Sequence, residues 1–95
     1  MKTNNSKSTI YKYQIQTTDE QTIRMPKGSR VLCVQIQRKV PCIWVQVDPE
    51  ATLVDTVIHV HGTGHPMPEV MNRQYVGSYQ MNFGDLVFHV FHVDY

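Results

Sequence analysis

Ninety-five residues with 41% hydrophobic and 18% charged content make one globular domain, since a chain this short buries only roughly 60–65% of its unfolded surface and cannot support two cores. A formal charge of +1 argues against the dense basic surface of a non-specific nucleic-acid binder and equally against an acidic mimic of DNA. Apolar runs of only a few residues exclude a membrane-spanning helix, and the opening MKTNNSKST lacks the apolar centre of a secretory signal, so a cytoplasmic protein without a membrane partner is expected.

Residues 1–8 are polar and read as a flexible segment ahead of a single all-β domain at 9–95. In the first strand, 9–16, Tyr11, Tyr13 and Ile15 alternate with Lys12, Gln14 and Gln16, which leaves one face wet. A second strand occupies 21–25. Runs at 30–37 and 40–47 flank the pair Arg38-Lys39 and form a hairpin in which Gln37 faces Val40, Gln35 faces Cys42 and Cys33 faces Trp44. In that register Cys33 and Cys42 are diagonal neighbours at roughly 7 Å, too far for a relaxed disulfide, and free thiols fit a reducing compartment. Arg-Lys lacks the Asn-Gly chemistry of a tight turn, and Pro41 implies an edge strand or a bulge.

One face of this hairpin carries Leu32, Val34, Ile36, Ile43, Val45 and Val47, the expected core. The other carries Cys33, Gln35, Gln37, Cys42, Trp44 and Gln46. An uncharged face around one large aromatic suits a protein interface, and a Trp44 tucked beneath a loop or the N-terminal segment is the plainer alternative.

Further strands are expected at 56–62, 75–81 and 86–93, joined by segments rich in turn formers such as Pro26-Lys27-Gly28, Asp48-Pro49-Glu50 and Asn82-Phe83-Gly84-Asp85. The interval 65–74 is too short and proline-rich for more than a helical turn at 68–72. Seven short strands at this spacing predict a small antiparallel β-sandwich or barrel. The last strand is apolar on both faces, with Leu86, Phe88 and Val90 beside His92 and Val87, Phe91 and Val93 beside His89. A second subunit would cover the spare face, so a homo-oligomer is expected, with Trp44, Gln35, Gln46 and Phe91 at its interface.

The segment HVHGTGHPMP gathers three of the five histidines around two glycines. Alternation puts His59 and His61 on one strand face. Three readings compete. His59 and His61 supply two metal ligands, with His65, His89 or His92 as the third. Alternatively Gly62, Thr63, Gly64 and His65 form a cradle whose backbone N–H groups, hydroxyl and imidazole hold a phosphate. In the third, the glycines shape a turn, His65 bonds to backbone, and exposed histidines tile a solvated face. Signatures of an enzyme are missing: there is no nucleophile elbow, no paired carboxylates in one motif, and no cysteine beside a histidine.

The blocks TIYKYQI, DEQTIRMPKG, VPCIWVQVDP, GTGHP, YVGSYQ and LVFHVF resemble a set of small uncharacterised proteins carried by bacteriophages and prophages, over nearly the whole chain from Thr9 onward. GTGHP belongs to that pattern and the histidines before it do not, which makes His65 the more transferable residue. The resemblance implies a viral accessory protein of the host cytoplasm and no activity. A non-enzymatic binding protein without a cofactor is therefore expected, interfering with host defence by sequestering a nucleotide signal or blocking a host protein. A virion or assembly component is the alternative, and a metal-dependent hydrolase with a histidine-rich pocket is third.

Overall fold

The structure, a computed structural model, describes residues 7–94. Of the segment 1–8, only Lys7 and Ser8 fall within them; both are exposed, and Lys7 meets Glu50 at 3.1 Å. The strands are β1 (Thr9–Gln14), β2 (Glu20–Pro26), β3 (Arg30–Gln37), β4 (Val40–Val47), β5 (Leu53–Gly62), β6 (Arg73–Met81) and β7 (Leu86–Val93). They form two antiparallel sheets, β1-β4-β3 and β2-β5-β7-β6, packed as a small sandwich around Met25, Val34, Ile43, Val45, Ile58, Val60, Tyr79 and Val90. Each such side chain contributes roughly 1.5–3 kcal/mol by leaving water. Among the described residues there is no helix, and so none long and apolar enough to cross a membrane.

The β3–β4 hairpin has the expected register, Gln37 opposite Val40, Gln35 opposite Cys42 and Cys33 opposite Trp44. Its turn places Arg38 and Lys39 at φ 51° and 70°, the two left-handed positions of a type I′ turn, without the Asn-Gly pair that usually supplies them. Each such residue with a β-carbon costs about 1–2 kcal/mol. Both cysteines are free, Cys42 buried and Cys33 half-buried. Pro41 sits on β4, a central strand, not on an edge. It accepts from the Ile15 N–H at 3.0 Å but has no N–H to return, and β1 accordingly ends at Gln14 rather than at residue 16.

The expected core face of the hairpin is only partly buried. A shift of register between Val31 and Cys33 turns Leu32 out to 40% exposure, and Ile36, near the hairpin end, is 39% exposed. A second irregularity, between Tyr75 and Gly77, bends β6 toward β3. A β-carbon at Gly77 would stand 3.0 Å from Val34 Cγ1, so glycine permits the two sheets to close along this side.

Segment 68–72 forms no helical turn. Pro66 and Pro68 keep His65 and Met67 out of helical conformation, and the Asn72 carbonyl instead accepts from the Asp94 N–H at 2.9 Å. β7 lies between β5 and β6, which pairs both of its edges, and its two apolar faces are covered separately. Val90 is enclosed in the core, and on the outer side Val93 is buried and Phe91 half-buried from within the chain.

Candidate functional site

The pleat and register of the four-stranded sheet bring a polar and aromatic cluster together on its outer face. β5 supplies His59 and His61, opposite Phe91 and His89 of β7, and β6 adds Tyr75 opposite Phe91 and Ser78 opposite His89. β2 adds Glu20 opposite His59.

His59 and His61 do not tile a solvated face as exposed histidines would: they are 1% and 3% exposed. Their rings meet edge to face at 5.4 Å, His61 lies 6.3 Å from the Phe91 ring, and His59 Nε2 is 3.0 Å from Glu20 Oε1. The Arg73 guanidinium stands over Phe91 at 5.5 Å, and its Nη2 donates to the Pro68 carbonyl. Among the described residues Arg73 forms no ion pair, and its Nε and the Nε2 of His61 are buried without a hydrogen-bond partner. Burial holds the His61 imidazole below the usual histidine range. The neighbouring His59, Arg73 and His65 push the same way, and Asp19 opposes them.

Beside this cluster the chain turns at Gly62 to His65. His65 N–H donates to the Gly62 carbonyl at 3.0 Å, with Gly64 at φ 86°. The imidazole of His65 lies on Gly62, where a β-carbon would come within 3.0 Å of the ring. Thr63 N–H donates to the Val87 carbonyl at 3.0 Å, and the Thr63 hydroxyl donates to the same carbonyl at 3.2 Å. That hydroxyl also meets His89 Nε2 at 2.7 Å. With the Thr63 proton directed at Val87, His89 Nε2 carries the proton it shares with Thr63 and Nδ1 accepts; with the Thr63 proton directed at Nε2 the roles exchange. In the first arrangement Ser78 donates to Nδ1 at 2.9 Å and itself accepts from the Tyr75 phenol at 2.5 Å. GTGHP and LVFHVF, far apart in sequence, thus meet through Thr63 and His89.

The four residues of the expected phosphate cradle therefore sit together, but the N–H groups of Thr63 and His65 and the Thr63 hydroxyl are already engaged within the protein. The adjoining groove, about 260 Å³, is lined by Thr63, His65 and Leu86 and also by the carboxylate-bearing Asp85. Buried nitrogens without a partner among the described residues lie instead at Arg73 Nε, a donor, and at His61 Nε2, which donates or accepts according to its tautomer. The metal set of His59, His61 and His65 is not assembled: among the described residues, no three His, Cys, Asp or Glu side chains are placed to share an ion.

The expected interface set is split between the two sides of the sandwich. Gln35, Trp44 and Gln46 share the outer face of the β1-β4-β3 sheet, whereas Phe91 is on the outer face of the other sheet. Nor is the Trp44 face free of charge, because β1 places Lys12 opposite Trp44 and its ammonium donates to Gln37 at 2.6 Å. Sequence reasoning passed over Arg73, Tyr75 and Ser78. The alternation of Arg73 with Tyr75 was the available signal, masked by assigning Arg73 to a loop.

No curated protein and no solved structure matches the chain. A family described as a domain of unknown function (DUF7352) matches residues 6–95, and the chain belongs to that family.

Proposed function

We propose that this is a non-enzymatic binding protein whose outer β2-β5-β7-β6 face takes a phosphate-bearing small molecule, and that in the phage setting implied by its sequence blocks it sequesters a nucleotide signal of host defence in the host cytoplasm. The observation that carries this reading is the uncompensated cation. Among the described residues Arg73 has no carboxylate partner, and its Nε lies buried beside an equally unpartnered His61 Nε2. The guanidinium is half-buried, stacks on Phe91 and donates to the Pro68 carbonyl, so it is held in place with its charge left to be met by an anionic ligand. Tyr75, 61% exposed and 5.6 Å from Phe91, offers a ring on which a base can stack. The turn at Gly62, Thr63, Gly64 and His65 forms the neighbouring wall rather than the cradle itself.

Binding rather than catalysis is favoured by the surroundings of His89. Its Nδ1 meets Ser78 as a general base would, but Nε2 meets a neutral hydroxyl instead of the carboxylate that holds the imidazolium of a serine hydrolase. Calorimetry against mono-, di- and cyclic nucleotides and inorganic phosphate is the test. Arg73→Gln should weaken the bound member by about 1.5–3 kcal/mol, the scale of hydrogen bonds to a charged group. Absence of binding by every member, or unchanged affinity in Arg73→Gln, would reject the site. A chain recovered in mature virions would favour the assembly role, and a copurifying host protein would favour a blocking role.

A further inference from the structure

The β3–β4 and β6–β7 turns lie side by side at one end of the sandwich and enclose a groove of about 550 Å³ lined by Ile36, Lys39, Gln80, Met81 and the 82–84 turn. At its rim stands Phe83, 106% exposed relative to a reference residue and held at φ 57° directly after Asn82 at the same angle. Glycine and asparagine suit that left-handed region, and an aromatic does not. A side chain that gains nothing from its own fold in either burial or backbone conformation stands next to an apolar groove floored by the half-exposed Ile36 and Met81. Two charges frame the pair. Lys39 lines the groove and Asp85 follows the Phe83 turn, and neither forms an ion pair among the described residues.

We infer that the occupant of this groove is a second copy of the chain, docked across a two-fold axis so that each Phe83 enters the groove of the other. Such an interface must be self-complementary, and this patch has the required property in both shape and charge: it carries a knob beside a hole, and a cation at the hole beside an anion at the knob. Lys39 of one copy then meets Asp85 of the other, twice. A foreign partner of one charge sign would be repelled by one of the two. The contact is confined to two turns, so it buries little area and gives a reversible, concentration-dependent dimer rather than an obligate one.

Sedimentation velocity of the full-length chain over a concentration series up to its solubility limit reads the association directly. Wild type should shift from the 11.0 kDa monomer toward twice that mass as concentration rises. Phe83→Gly removes the knob while relieving the backbone, so it should stay monomeric throughout and melt no lower than wild type measured as a monomer, which separates lost docking from lost folding. Lys39→Asp and Asp85→Lys should each weaken association several-fold, and the double variant should recover it, because in a two-fold interface the exchanged charges face each other again. A wild type that remains monomeric, a Phe83→Gly chain that still dimerises, or a double variant no better than either single one would each overturn the proposal.

Discussion

Replacing His61 with leucine should make the protein more stable. The buried Nε2 of His61 has no partner among the described residues, and leaving such a group unsatisfied costs about 1–3 kcal/mol. Leucine removes that cost and forfeits the ring contacts with His59 at 5.4 Å and Phe91 at 6.3 Å, together worth about 0.5–1.5 kcal/mol. The net gain is about 1 kcal/mol at neutral pH, equivalent to about 4–8 °C in melting temperature for a domain of this size. The advantage should also grow with acidity. Burial and the neighbouring cationic groups lower the His61 pKa in the folded state, so below the ordinary histidine pKa the unfolded chain binds the proton more readily. Wild type therefore loses stability as pH falls from the unfolded toward the folded pKa, a component that leucine lacks. Urea denaturation followed by the fluorescence of Trp44, the sole tryptophan, at several pH values from about 5 to 8 measures both effects. A variant less stable than wild type at neutral pH would refute the argument from the unpartnered nitrogen, and parallel stability–pH curves would refute the argument from burial.

Gly77→Ala should destabilise by about 1–3 kcal/mol, because its β-carbon meets Val34 Cγ1 at 3.0 Å where β6 closes on β3; a melting temperature equal to that of wild type would show that the two strands separate at no cost. Cys33 and Cys42 should both titrate as thiols when the protein is denatured without reductant or oxidant, and recovery of a disulfide between them would contradict the observed register, in which Cys33 faces Trp44 and Cys42 faces Gln35.

Local signals made the strands and the central hairpin legible. The two runs beside Arg38-Lys39 alternate cleanly, a two-residue connection permits few registers, and β3, β4 and β7 begin and end where the pattern placed them. β5 and β6 begin earlier, at Leu53 and Arg73, because polar residues next to turn formers resemble loop until a neighbouring strand pairs with them. The site depended on information that no single strand contains. Alternation puts His59 and His61 on a common face, but their burial comes from surroundings that include Glu20, Phe91 and Arg73, drawn from three other strands. The division of Trp44 from Phe91 follows from sheet order, since two strands with outward aromatics share a surface only if they share a sheet. Leu32 and Ile36 fit the core pattern and still face water, because a one-residue shift and a strand end each override alternation locally.

The hydrogen bonds that join Tyr75, Ser78, His89, Thr63 and the Val87 carbonyl form a chain with two settings. With the Thr63 proton directed at Val87, every link runs from Tyr75 toward that carbonyl. With the Thr63 proton directed at His89 Nε2 instead, Nδ1 carries the ring proton and donates to Ser78, whose hydroxyl turns toward Tyr75, and the phenol proton is displaced toward solvent. The hydroxyl of the most exposed ring on this face is thereby tied to the tautomer of an imidazole two groups away, so a molecule resting on Tyr75 would meet an acceptor in one setting and a donor in the other.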